Sequence, residues 1–485
     1  FGGACAQWRG NTPVRSEIRR ANSGRRRRER EMAMRLQQAE DAADWTYRGE
    51  GAANLVLGYR GSSSSFVGKV LRLQKIPRKG GAEAERGAPV LSAHERMLWE
   101  DVSGLGECSS KEVVEQLFAL HVMSPLLGPQ HVDPGMHVVV SEEFLQSVEK
   151  NILDQRPIWR VDAAKVNTSC DSALLMSDHS FFPHGALKEN LCITVEIKPK
   201  SGFLPSSKFI RRENVVKTYV TRFKMHQALK LHEGQISRIS DYEPPALFSG
   251  SRERIRQAIM ALFHCPQNNF RVFFNGSLVF GALGGLMDKS ETVSDDSHKR
   301  NEAFEDLLKV VIQGEHGQCL PSFLELVGEA IFSSGIMTRL LEVQKLDLFD
   351  IEGAIHAYYN IISEPCLICE NLSDAELLNR CSSLHSLTLE ESLKIVKWYL
   401  IAATAKDCSL MISFRPRDEN VASDFGSVFL DSTSQTFDYK AYFIDLDMKP
   451  LSKMAYYYEL DQKIVELYKN GESTRMNDGN STCSC

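Results

Sequence analysis

The 485-residue chain has no apolar run near the roughly 18 residues that a membrane-spanning helix needs, and no internal repeat. It also lacks a basic excess. Lys and Arg number 57 against 63 Asp and Glu, a formal net charge of −6, which argues against a general nucleic-acid binder but leaves room for a local basic pocket. Its twelve cysteines are scattered except for Cys366 and Cys369, so reduced thiols in cytosol or nucleus are expected rather than a disulfide framework. The first 40 residues hold little apolar periodicity and no apolar signal-like core. They begin at Phe1 and include the run Arg25 to Arg28, which reads either as a nuclear-localisation signal or as an over-extended translation start. The second reading is favoured, with Met32 or Met34 as the true start. What remains is ordinary: 43% hydrophobic and 25% charged residues, a mean hydropathy of −0.25, and a length that calls for two or three lobes.

Against that background one segment stands out, Val195-Glu196-Ile197-Lys198-Pro199-Lys200. Period-two alternation places Glu196, Lys198 and Lys200 on one exposed row, the equipment a polyphosphate and its metal would need. Pro199 removes a ladder donor, so the strand is leaving a sheet or lies at its edge. From Glu196 to Lys230 there are nine Lys/Arg and two acids. Residues 213–230 show helical periodicity. Val216, Val220 and Phe223 make an apolar stripe, with Arg222, His226 and Lys230 on a neighbouring face.

Folded pattern begins near Trp45. A turn at Gly49–Asn54 precedes strand Leu55–Tyr59 and a second strand Phe66–Leu73. Helices are expected from about Ser92 and over 111–124, strands at Met136–Val140 and Leu191–Ile197, a mobile acidic loop over 288–303, and mainly helices over 304–363. Near the carboxyl end, helix Leu389–Ala405 leads to Asp407. Strand Ser409–Phe414, a loop over 417–436 and strand Tyr439–Ile444 then lead to Asp445. That is the order in which kinase-like phosphotransferases place a catalytic and a metal-binding acid. Lys449, Lys453 and Tyr457 follow four apart, one polar face if helical.

Each motif has a plainer reading. Gly49-x-Gly51-x-x-Asn54 could cover nucleotide phosphates or be a simple hairpin turn. Lys69 and Arg72, three apart on a strand, face opposite sides, so one of them can enter a cleft beneath that turn. The Arg222/His226/Lys230 face is an anion site or a solvated helix face. His356-x9-Cys366-x2-Cys369-x15-His385 has zinc-ligand spacing, structural because four protein ligands close the shell, with Cys381 competing with His385. Asp407 and Asp445 could be ordinary helix-end and strand-end acids.

Together these residues resemble the plant inositol-pentakisphosphate 2-kinases over roughly residues 44 to 468. The stretches that carry the resemblance include Tyr47 to Val56, Arg156 to Arg160, Glu196 to Lys200 with Gly202 to Pro205, and Arg222 to His226. Pro266 to Arg271, Ile351 to His356, Thr404 to Cys408 and Phe443 to Asp445 complete the set. The resemblance implies an α+β, two-lobed protein-kinase-like fold with an enlarged, mostly helical C-lobe that carries an inositide-binding insertion and a zinc site. Its divisions are an N-terminal extension (1–40), an N-lobe (41–178), a C-lobe (179–470) and a disordered tail (471–485). The implied reaction moves the ATP γ-phosphate to the 2-hydroxyl of inositol 1,3,4,5,6-pentakisphosphate, giving phytate.

By the same resemblance, Gly51, Ala52, Ala53 and Asn54 cover the ATP phosphates and Arg72 contacts them. Asp178 and His179 line the nucleotide hinge, Glu196 holds the ribose and Arg271 also reaches the nucleotide. Lys198 stabilises the transferring phosphoryl, Asp445 holds Mg2+, and Asp407 accepts or orients the hydroxyl proton. Arg160, Lys200, Lys230, Asn268, Lys449, Lys453 and Tyr457 bind the inositide, together with Asp407. Structural Zn2+ sits on His356, Cys366, Cys369 and His385. Lys453 stands where arginine is expected, and Ala52 and Ser177 where glycine and asparagine are. ATP and the inositide are the expected partners, without nucleic acid or membrane, and a monomer in cytosol and/or nucleus is expected. The rival readings are a kinase-like inositol phosphate scaffold without catalysis and, more remotely, an RNA-binding zinc protein.

Overall fold

The computed structural model describes residues 35–36, 39–78, 90–182, 191–281, 295–314, 318–370, 375–418 and 423–480. The Arg25–Arg28 run, the polar loop over 79–88 and residues 288–294 lie outside the described residues. Helix and sheet are mixed, as the α+β class requires.

The first sheet gathers β1 (Arg35–Leu36), β2 (Trp45–Glu50), β3 (Asn54–Tyr59), β4 (Lys69–Pro77), β5 (Met136–Val140), β6 (Ala164–Val166) and β7 (Ser172–Ser177). The order is β1-β5-β7-β4-β3-β2, with β6 on the far end of β4. Only β1 and β5 run parallel. Alternation along β3 and β4 buries Leu55, Leu57, Leu71 and Leu73 against Trp45, Val138 and Phe144. The helix Glu142–Ile152, capped by Ser141, closes that core. Arg72 therefore points the other way, to Glu115 on the helix Lys111–Phe118. Lys69 bonds Ser177 Oγ at 3.2 Å instead.

The second sheet runs β10-β9-β8-β11-β13-β12, antiparallel throughout. Its strands are β8 (Ile193–Ile197), β9 (Phe270–Phe274), β10 (Ser277–Phe280), β11 (Ser409–Pro416), β12 (Gly426–Leu430) and β13 (Gln435–Ile444). One face packs Ile193, Val195 and Ile197 into the main core with the helices Arg252–His264, Cys319–Ser334, Asp350–Ile362 and Leu389–Asp407. Helix pair Cys319–Ser334 and Ile336–Gln344 is apolar enough for a bent span by composition, but most of its apolar side chains are spent on this core.

Several expectations change. The segment 213–230 is a 3-10 turn, Arg212–Thr218, followed by a helix Arg222–His232 that starts where Thr221 caps Lys224 N. A threonine that satisfies a first-turn N–H starts a new helix rather than continuing the old one. Residues 295–303 belong to the helix Asp295–Leu308 rather than to a loop. The loop over 417–436 contains β12, paired with β13. Lys449 precedes the C-terminal helix and Lys453 closes a 3-10 turn, so with Tyr457 they do not form one helical face. Leu36, within the expected extension, is buried in the first core. The helix Met454–Asn480 reaches into the expected tail.

Candidate active site

The site forms where β8 and β13 end and β11 begins. β11 sits between the other two, pairing Leu410 with Ile197 and Ser409 with Ile444. That register delivers Lys198, Asp407 and Asp445 to one edge of the sheet. β8 is thus central rather than an edge strand, and the row expected to be exposed is not. Glu196 is buried, clamped by Arg271 at 3.2 Å and Ser409 Oγ at 2.9 Å. The strand stops at Ile197, and Lys200 turns off it with a left-handed φ of 62°. Asp445 has φ 59°. Two non-glycine residues in this region at one site mark backbone held against its preference by its surroundings.

Lys198 Nζ lies 3.1 Å from Asp445 Oδ2. Asp407 is held between Lys449 at 2.8 Å and Lys200 at 3.7 Å. Both acids remain reachable, with side chains 49% and 61% exposed. Although water still reaches both, the surrounding protein partly desolvates Asp445, yet Lys198 and Arg72 hold its carboxyl down to about 2. The same partial desolvation opposes Asp407, and Lys200 and Lys449 outweigh it, so it lies below the ordinary carboxylate value. Lys200 moves the other way. Desolvation, followed by repulsion from Lys198 and Lys230, brings it down to about 8 despite Asp407. Burial lowers Lys230 too, and it drops His226 to about 4 with help from Lys230 and Arg222.

The first sheet meets this edge through Asp447, which sequence reasoning passed over. Its carboxylate receives Arg72 and, at 3.3 Å, Asn54 Nδ2, while its carbonyl accepts from Thr404 Oγ1 at 2.8 Å. The spacing Asp445-x-Asp447 was the available signal. Glu115 shares Arg72 at 3.5 Å, and burial with the Asp447 charge pushes its carboxyl up. The turn Gly51–Ala53 is exposed and closed by Gly51 N on Asn54 O at 2.9 Å. A Cβ on Gly51 would meet nothing within 4 Å, so local packing does not require glycine there.

Further along β13 from this edge, His179 stacks on Tyr442 with ring centroids 4.1 Å apart, and the adjacent Asp178 bonds Arg48 at 3.2 Å. Asp133, also missed, approaches His179 at 3.4 Å and accepts from Ser177 N at 2.8 Å. No motif announced it, because the contact joins residues 46 apart through a sheet pairing. Of the remaining inositide candidates, Tyr457 is half-buried beside Tyr399 and Asn268 is half-buried. Arg160 sits instead at the glycine turn, donating to Gly51 O at 3.1 Å. Lys453 is exposed, its ammonium over the Tyr456 ring.

Apart from this edge, His356, Cys366, Cys369 and His385 offer four donor atoms within 4.8 Å of one another. Four of the six donor separations run from 3.2 to 3.4 Å. The edges of a tetrahedron around a zinc ion bound by two nitrogens and two sulfurs are about 3.3–3.8 Å, so the set is close to what such an ion needs. Burial and His385 bring His356 down to about 4, leaving its ring neutral and able to ligate at neutral pH. Asn360 Oδ1 orients His385 through Nδ1 at 2.9 Å. Cys381, the competing candidate, is buried in a small apolar cluster beside the donors and is not one of the four.

Lys198, Lys200, Lys230, Lys449, Arg72 and Arg271 set around Asp407, Asp445, Asp447 and Glu196 describe a protein that handles polyphosphate anions. The chain belongs to the inositol-pentakisphosphate 2-kinase family, whose model matches residues 47–463. It is 54% identical over 434 residues to the inositol-pentakisphosphate 2-kinase IPK1 of Oryza sativa subsp. indica, covering 89% of this chain and 95% of the relative. Identity to the Arabidopsis thaliana inositol-pentakisphosphate 2-kinase is 52% over 450 residues, 91% and 97% of the two chains. The Danio rerio inositol-pentakisphosphate 2-kinase is 27% identical over 437 residues, 78% and 84%.

Proposed function

We propose that the protein transfers the γ-phosphate of ATP to the 2-hydroxyl of inositol 1,3,4,5,6-pentakisphosphate, giving inositol hexakisphosphate, on a two-lobed kinase-like fold. The carrying observation is Asp407, an accessible carboxylate held ionised between two lysines and next to the Lys198–Asp445 pair. An acid that only helped bind a polyanion would repel it, which argues against a catalytically silent scaffold. In this reading Asp407 accepts the hydroxyl proton as the oxygen bonds to the γ-phosphorus and the bridge to ADP breaks. Lys198 offsets charge on the transferring group. Asp445 would hold Mg2+, which supplies further charge neutralisation when bound. Gly51 to Asn54, Arg72, Asp178, His179, Glu196 and Arg271 would receive the nucleotide. Arg160, Lys200, Lys230, Asn268, Lys449, Lys453 and Tyr457 would receive the inositide. Purified protein with Mg-ATP and the pentakisphosphate, followed by anion-exchange chromatography, tests this. A folded, ATP-binding sample that yields no hexakisphosphate would refute it.

Lys200 gives a pH signature. Its folded value is depressed to about 8, so it is charged at pH 7 and loses its proton as pH rises through that value. A polyanion restores the charge. Inositide binding at pH 8 is therefore expected to take up about half a proton. Affinity should decline from pH 7 to 9, and below pH 7 it falls as the substrate phosphates, with second pKa about 6, gain protons. Calorimetry in buffers of different ionisation enthalpy on the wild type and Lys200→Met isolates the Lys200 share, and equal proton uptake by the two at pH 8 would exclude Lys200 from the contact.

The four-donor cluster is proposed to bind structural Zn2+ through His356, Cys366, Cys369 and His385. Serine at both Cys366 and Cys369 is expected to remove about one zinc per chain by elemental analysis and to lower the melting temperature clearly. Zinc retained at one per chain in that variant would place it elsewhere.

A further inference from the structure

Outside the cleft lies a buried charged junction that the proposed chemistry does not use. Lys217, 3% exposed, reaches Asp350, Glu352 at 3.0 Å and Asp461 at 2.7 Å. The three carboxylates are themselves buried, and their oxygens cluster closely enough to suggest a cation site. The Lys217 ammonium is already that cation. Asp461 takes a second one from Arg222, and Glu352 also accepts from Arg211 N at 3.0 Å. Asp350 has φ 59°, so backbone strain is spent on placing this acid.

The junction's position gives it a use. Asp461 follows Tyr457 by four residues on the helix Met454–Asn480, about 6 Å along the same face. Arg222 opens the helix Arg222–His232, about 12 Å before Lys230 on its axis. Asp347, three residues before Asp350, bonds Lys406 Nζ at 2.6 Å, next to Asp407. Two elements that bear inositide-side residues thus meet at one set of ion pairs, and a third, the helix Leu389–Asp407, is tied beside them by the separate Lys406–Asp347 pair. Buried ion pairs add little net stability over apolar packing, but they are directional and tolerate little sliding.

We propose that Asp461, gripped by Lys217 and Arg222, is a positioning residue that sets the spacing between Tyr457 and Lys230 and so tunes recognition of the inositol phosphate. This rests on the reading that those two residues bind the inositide. The test uses the full chain carrying Asp461→Asn, and separately the charge-balanced pair Lys217→Met with Asp461→Asn in case the single variant does not fold. Steady-state kinetics against both substrates, with calorimetry of pentakisphosphate binding, should show KM and Kd for the inositide raised about tenfold and KM for ATP within about twofold. Both KM values rising together, or an unchanged inositide KM in folded protein, would overturn the proposal and leave the kinase reading intact. A wild-type protein that neither binds nor phosphorylates the pentakisphosphate would overturn the kinase reading, and this inference with it.

Discussion

Replacing Asp407 with asparagine is expected to lower kcat by roughly 10²–10⁴-fold, the usual span for loss of a positioned general base, while the inositide still binds. The amide keeps the shape and loses the proton acceptor. Binding should even tighten, because Lys200 and Lys449 now spend part of their charge on Asp407 and would be released to the substrate phosphates. Single-turnover rates with calorimetric Kd values separate the two effects. Turnover retained within a few-fold would remove Asp407 from proton transfer. In the wild type, Asp407 lies below the ordinary carboxylate value because two lysines outweigh its partial desolvation. The proposed base is therefore ionised throughout the neutral range, and any loss of its charge comes only as pH falls below the ordinary carboxylate value.

Asparagine at Asp445 is expected to reduce kcat by at least about 10³-fold, since the proposed metal ligand and a fixed charge would disappear together. Asparagine is the informative choice here. Like aspartate it tolerates the left-handed backbone found at φ 59°, so the turn is kept while the ligand is lost. Inositide affinity should not change, because Asp445 faces Lys198 rather than Lys200. The free Mg2+ needed for half-maximal rate should rise steeply. A loss under tenfold with unchanged Mg2+ dependence would shift the metal assignment to Asp447, two residues on and already beside Arg72.

Strand alternation and composition reveal some of this arrangement and hide the rest. The Glu196–Lys200 segment announces an anion site because few structural needs put two lysines and an acid on one row. Yet the row does not act as one exposed face. Glu196 is buried under Arg271 and Ser409, and Lys200 leaves the strand altogether. Period-two reasoning assumes an extended backbone, and Pro199 followed by a left-handed residue ends it. The opposed directions of Lys69 and Arg72 follow from spacing alone, since side-chain alternation on a strand is local geometry. The candidate metal donors were legible for a similar reason: Cys-x-x-Cys is a short-range signal. Spacing alone left Cys381 competing with His385 and the resemblance named His385; in the structure the helix Ala375–His385 turns that imidazole toward the thiols and buries Cys381.

The sequence by itself determined which residue types are present and the family. It also set the local elements: capped helices such as Leu389–Asp407, alternating strands such as β3 and β4, and the acids Asp407 at that helix end and Asp445 after β13. Local rules reach as far as one turn of helix or one strand pairing, and those features lie within that reach. Only the tertiary structure decided that Asp447 joins Arg72 across 375 residues, that Asp133 faces His179, and that Lys217 sits among three acids from two helices distant in sequence. Such contacts carry no periodicity. They exist because burying a charge is costly unless a partner is brought to it, and the partner can come from anywhere the packed core allows.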